Sequence, residues 1–146
     1  MLKNRWFVLG ASAAIFVAGF SLGSLRQAGS VAYAQGKHVY ELRTYTAPDG
    51  KLGDLNKRFR DHTVRIFNKH GMKSVFYMTP QDAPDSQNTL IYLLEHPSRE
   101  AAKKAWADFA ADPEWKKVSE ESQVNGRIVS KVVSVFGDPT DYSPMK

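Results

Sequence analysis

Two stretches of this chain, Thr89–Glu95 (TLIYLLE) and the end of Arg127–Phe136 (RIVSKVVSVF), are apolar on both faces of the strands they would form. A strand turns successive side chains to opposite sides of its sheet. A sheet containing these two strands must therefore be covered on both sides. Two more strand-like stretches, Lys37–Thr46 (KHVYELRTYT) and Lys73–Thr79 (KSVFYMT), are separated from them by helical regions. The order is β-α-β-β-α-β, the split-βαβ arrangement, which gives a four-stranded antiparallel sheet with helices on one face. Two amphipathic helices cover only that face. An open second face would be an apolar patch of a size that soluble monomers avoid. The expected fold is α+β: a ferredoxin-like βαββαβ sandwich whose open face meets a second copy, forming a homodimeric α/β barrel.

The helical regions carry their own signals. Leu52, Leu55, Phe59, His62 and Ile66 recur at helical spacing and predict one buried stripe on a helix from Lys51 to Lys69, with Asp49 available as its cap. Asp54–Arg58 and Asp61–Arg65 are i,i+4 pairs expected on solvated faces. Gly71 suits the left-handed position that ends a helix. Ser98 is placed to cap a second helix, which buries Ala102, Ala105, Trp106 and Phe109. Asp112-Pro113 starts a short third one.

Residues 1–34 read differently. Lys3 and Arg5 precede an uncharged run over residues 6–25, and Ala32-Tyr33-Ala34 supplies the small-x-small pattern of a signal-peptidase site. Cleavage between Ala34 and Gln35 would release residues 35–146 as one periplasmic or secreted domain without stable membrane contact. The second reading keeps residues 6–25 as an anchor in the cytoplasmic membrane, since such a run is just long enough to cross a bilayer. The positive end stays inside in both readings, so the domain lies outside.

Composition removes several function classes. The chain has no cysteine, so disulfides and thiolate metal sites are excluded. Its net charge of +5 owes much to Lys3, Arg5 and Arg26; beyond Gln35 basic and acidic residues are interleaved, which argues against nucleic-acid binding. No phosphate-binding glycine loop, nucleophile elbow or HExxH pattern is present. His38, His70 and His96 lack zinc-site spacing, and no metal site is expected.

The stretch Tyr40-Glu41-Leu42-Arg43-Thr44-Tyr45-Thr46, with Phe59, His62, His70-Gly71, Trp106, Phe109 and Asp112-Pro113-Glu114-Trp115, resembles the NIPSNAP family over roughly residues 38 to 142. The resemblance implies a dimeric ferredoxin-like barrel. It places the chain in the broad superfamily of small antibiotic monooxygenases, haem-degrading monooxygenases and chlorite dismutase-like proteins, where a ligand pocket usually lies between sheet and helices. The family has no established general enzymatic activity. Its animal members are associated with mitochondria and vesicle traffic.

Five residues are singled out for chemistry. His62 lies on the predicted buried stripe, aimed at the sheet, as a general base or an axial haem ligand; the alternative is a core histidine bonded to a tyrosine or a backbone carbonyl. Glu41 and Arg43 share one strand face, either to fix a polar ligand or as a structural ion pair. Tyr40 and Trp106 would wall a pocket. The function expected is binding of a small, partly apolar molecule between sheet and helices. The alternatives are a non-catalytic dimeric scaffold and a monooxygenase-like enzyme, either cofactor-independent or haem-dependent. No cofactor is expected in the first two readings.

Overall fold

The alternation of KHVYELRTYT is realised as the central strand β1, Val39–Thr46. The structure, a computed structural model, describes residues 38–145. After β1 comes one helical rod in three parts: α1 (Leu52–Arg58), a π-helical turn (Phe59–Thr63) and α2 (Val64–Lys69). Then follow β2 (Lys73–Met78), β3 (Thr89–His96), α3 (Arg99–Ala111), α4 (Pro113–Glu121) and β4 (Lys131–Gly137). The sheet is antiparallel with strand order β2-β3-β1-β4. This is the ferredoxin-like order expected from the sequence. No helix among the described residues is long and apolar enough to cross a membrane. The signal segment, with Ala34 and Gln35, lies outside the described residues.

Local chemistry explains the helix ends. Ser98 accepts from the Ala101 N–H at 3.1 Å and starts α3. Asp112 does the same for α4, accepting from the Glu114 N–H at 2.8 Å with Pro113 behind it. These bonds satisfy amides that the helix itself leaves unpaired. Gly71 has φ +72°, as a helix-ending glycine should. Asp49 makes no cap; Lys51 stands at that position without a capping bond from its side chain.

The first helix departs from simple periodicity at one point. A π-turn adds one residue to the repeat. Upstream of it, Leu55, Arg58 and Phe59 face inward; downstream, Thr63, Ile66 and Phe67 do. His62, expected on the buried stripe, is exposed, and Thr63 takes the buried place. The added residue rotates the helix enough to exchange the two. Thr63 then donates through Oγ1 to the Arg58 carbonyl at 3.3 Å. The expected Asp54–Arg58 and Asp61–Arg65 pairs do not form: Asp54 pairs with Lys51, Asp61 with Lys57, and Arg65 with Glu114.

The core lies between the helices and one sheet face. Phe67 sits at its centre, with ring centroids 5.9 Å from Tyr92, 5.1 Å from Phe109 and 5.4 Å from Trp106. Burying such side chains supplies roughly 1.5–3 kcal/mol each. The opposite sheet face holds Tyr40 and Leu42 of β1, Phe76 and Met78 of β2, Leu93 of β3, and Val133 and Val135 of β4. Of these, Leu42, Phe76, Met78, Val133 and Val135 are exposed, Val135 by 57%.

Candidate functional site

β1 sits between β3 and β4, so its helix-facing side chains meet partners from both neighbours. Glu41 lies across from Leu94 of β3 and Phe136 of β4, and Arg43 from Tyr92 and Ser134. Glu41 is 1% exposed. Each of its carboxylate oxygens accepts two hydrogen bonds. Oε1 accepts from Arg43 Nη1 at 2.8 Å and from Ser134 Oγ at 2.7 Å. Oε2 accepts from Trp106 Nε1 at 2.7 Å and from His96 Nε2 at 3.0 Å. Burial alone would push this carboxyl group up. The bonds from His96, Ser134 and Trp106, with the charge of Arg43, outweigh burial and bring its pKa down to about 2. Glu41 is thus a buried, ionised carboxylate, and His96 must carry its proton on Nε2.

Arg43 is placed by the same strand. Its guanidinium lies 4.0 Å from the Trp106 ring centroid and 5.6 Å from that of Tyr45. Its Nε is buried without a hydrogen-bond partner. Burial works against its charge, but Tyr45, Tyr92 and Glu41 together hold its pKa above the ordinary arginine value. Beside it, Arg99 at the start of α3 lies 3.6 Å from the Phe136 ring centroid. Such cation–aromatic stacking holds a guanidinium without neutralising it.

Together these side chains line an open cleft of about 560 Å³ bounded by β1, β4 and α3. Arg43, Arg99 and Lys103 face it, against Glu41 and Glu100. With Arg43 paired to Glu41, Arg99 and Lys103 outnumber Glu100, so the cleft keeps an excess of positive charge. Trp106 and Phe136 add flat apolar surface. The arrangement can hold a small molecule by an anionic group and a planar or apolar part. The hydroxyl in the cleft lining, Ser134 Oγ, donates to the Glu41 carboxylate at 2.7 Å.

The structure brings Glu41, Arg43 and Trp106 together, and joins the first two as an ion pair at 2.8 Å. Tyr40 is not with them. It is adjacent to Glu41 in the strand, so the pleat turns it to the opposite sheet face, where it borders a shallow depression with Leu42, Leu93 and Val135. His62 is not with them either, because the π-turn carries it to the outside of the first helix. No histidine is among the residues lining the cleft. Six residues of the site are not among those the sequence singled out: His96, Ser134, Arg99, Glu100, Lys103 and Phe136. His96 was detectable, since it continues the alternation of Tyr92 and Leu94 by one step. Ser134 was detectable as the polar interruption of VVSVF.

Residues 40–144, most of the chain and all of the cleft, match the NIPSNAP family. The chain belongs to the NIPSNAP family. Solved NIPSNAP structures share its fold. A NIPSNAP family protein with unknown function from Agrobacterium tumefaciens superposes with a TM-score of 0.66 at 21% identity, covering 76% of this chain and 96% of that one. An uncharacterized NIPSNAP-like domain protein from Burkholderia xenovorans does so with a TM-score of 0.65 at 16% identity, covering 75% and 90%. SnoaB, a cofactor-independent oxygenase from Streptomyces nogalater, is more distant, with a TM-score of 0.50 at 13% identity over 74% and 98%. No curated protein is a significant match to the chain. In this NIPSNAP domain the cleft beside Glu41 is bounded by the strand that carries the family resemblance.

Proposed function

We propose that this NIPSNAP domain acts outside the cytoplasm as a homodimer that binds a small, partly apolar anion in the cleft beside Glu41. The observation that supports the ligand is the state of Arg43. It is half-buried on the cleft wall and stacked on Trp106, its one carboxylate partner is shared with three other donors, and its buried Nε is unpaired. A carboxylate or similar group entering the cleft would meet Arg43, Arg99 and Lys103. The apolar sheet face around Leu42, Phe76 and Val135 supports the homodimer, and the segment before Gln35 supports export. The likeness to a cofactor-independent oxygenase is a likeness of fold and carries no reaction with it.

Native mass spectrometry of the protein purified from an exporting host tests all three parts. The expected species is a dimer whose chains begin at Gln35, carrying extra non-covalent mass that an Arg43→Met variant loses. A bound mass unaffected by Arg43→Met, or none at all, would overturn the ligand proposal and favour a dimeric scaffold. A stable monomer would overturn the homodimer.

A further inference from the structure

A second cation is buried on the helical side of the molecule. Arg58, at the end of α1, is only 6% exposed, and among the described residues no carboxylate pairs with it. Its Nε has no hydrogen-bond partner, and Nη1 reaches only Ser122 Oγ, at 3.5 Å. Its guanidinium lies 5.1 Å from the Trp115 ring centroid. Tyr45 and Tyr92 also act on it, but they are phenols and bring no carboxylate charge. Burial lowers its pKa, yet an arginine keeps its charge in a protein. A buried charge without a counter-charge is costly unless something supplies one.

Arg58 lines a cavity of about 250 Å³ between the first helix and the end of α4. No residue of this cavity belongs to the Glu41 cleft. The π-turn sets its geometry, because the rotation that sends Thr63 into the core sends His62 to the cavity wall. Ser122 and Asn125 add polar groups from the other side, and Val118 and Val124 an apolar patch. Three acidic residues also border the cavity, and each has a lysine of its own: Asp54 with Lys51, Asp61 with Lys57, Glu121 with Lys117. They leave Arg58 unneutralised but would repel a multiply charged anion. The cavity is below the usual range of roughly 300–1,000 Å³ for drug-sized ligands.

We infer that this cavity is a second binding site, taking a small organic monocarboxylate whose charged end rests on Arg58 and His62 and whose apolar end meets Val118 and Val124. Phosphate and polyphosphates are disfavoured by the acidic rim.

The test is a titration of the purified protein with sodium benzoate, and separately with inorganic phosphate. It is followed by the NMR signal of the Arg58 Nε–H and by calorimetry. Benzoate should shift the Arg58 signal saturably, and phosphate should bind at least about tenfold more weakly. His62→Gln, at an exposed position, should weaken benzoate several-fold without moving the melting temperature. Arg58→Met should weaken it by about tenfold or more, the loss expected for a bond to a charged group. If Arg58→Met does not fold, the Arg58 signal and His62→Gln decide. No saturable shift, an affinity indifferent to His62→Gln, or phosphate binding more tightly than benzoate would overturn the inference. So would loss of benzoate binding in Arg43→Met alone, which would place benzoate in the Glu41 cleft.

Discussion

The indole N–H of Trp106 donates to Oε2 of Glu41 at 2.7 Å, joining α3 to the central strand across a separation of 65 residues. With Arg43 and Ser134 on the other oxygen and His96 sharing this one, the carboxylate is where β1, β3, β4 and α3 meet. Both oxygens face two donors each. A glutamine in this place would turn its amide N–H₂ toward a pair of donors whichever way it is flipped. Glu41→Gln should therefore destabilise the protein by about 2–4 kcal/mol, the range for removing one partner of a buried charged network. The check is the midpoint of urea unfolding at neutral pH.

The same carboxylate sets an acid limit. Its folded pKa, about 2, lies below the unfolded value of 4.5. Its stabilisation is therefore complete above about pH 4.5 and lost as pH falls toward 2, by linkage on the order of a few kcal/mol. Glu95 and Glu114 are also held below their ordinary values, mainly by bonds from Lys73 and His38 and from Arg65, so the whole protein should weaken in acid. The difference between wild type and Glu41→Gln isolates Glu41. That difference should be constant from pH 7 to 5 and shrink steadily between pH 4.5 and 2.5 in urea titrations.

The apolar sheet face leads to a prediction about assembly. A lysine at Val135 would stand at the middle of the proposed interface and leave its charge unpaired there. Val135→Lys should sediment as a monomer at concentrations where wild type is a dimer, with unchanged far-ultraviolet circular dichroism. Equal sedimentation of the two proteins would count against this face as the interface.

His62 and Thr63 offer a paired test of the π-turn. His62→Ala should change stability by no more than about 0.5 kcal/mol, as exposed substitutions do. Thr63→Ala removes a buried hydroxyl and its bond to the Arg58 carbonyl, and should cost about 1 kcal/mol. An α-helix without the added residue would reverse this order, so comparing the two variants in one thermal melt checks the turn itself.

Much of the site was legible because strands alternate strictly. Glu41 and Arg43 had to share a face, and the spacing of α3 had to bring Trp106 inward. What pairs with them was less legible, since it depends on register. Ser134 reaches Glu41 only because β4 runs beside β1 with Arg43 opposite it. Arg58 and His62 depart from expectation for separate reasons. Nothing in FRDHT marks a π-turn by composition, yet one added residue rotates everything after it. An error of one position thus turned a surface histidine into an expected core residue, whereas Arg58, upstream of the turn, is buried because it lies three residues after Leu55 on the inward face.

That turn also divides the first helix into two lengths that answer to different constraints. A complete substitution scan of Leu52–Lys69 should yield two stripes of intolerance, each with ordinary helical spacing but out of step by one residue at Phe59–Thr63. Deleting a single residue there would bring the stripes into step, and would also take His62 away from the cavity wall. The length of this segment, as much as its chemistry, determines which side chains reach Arg58.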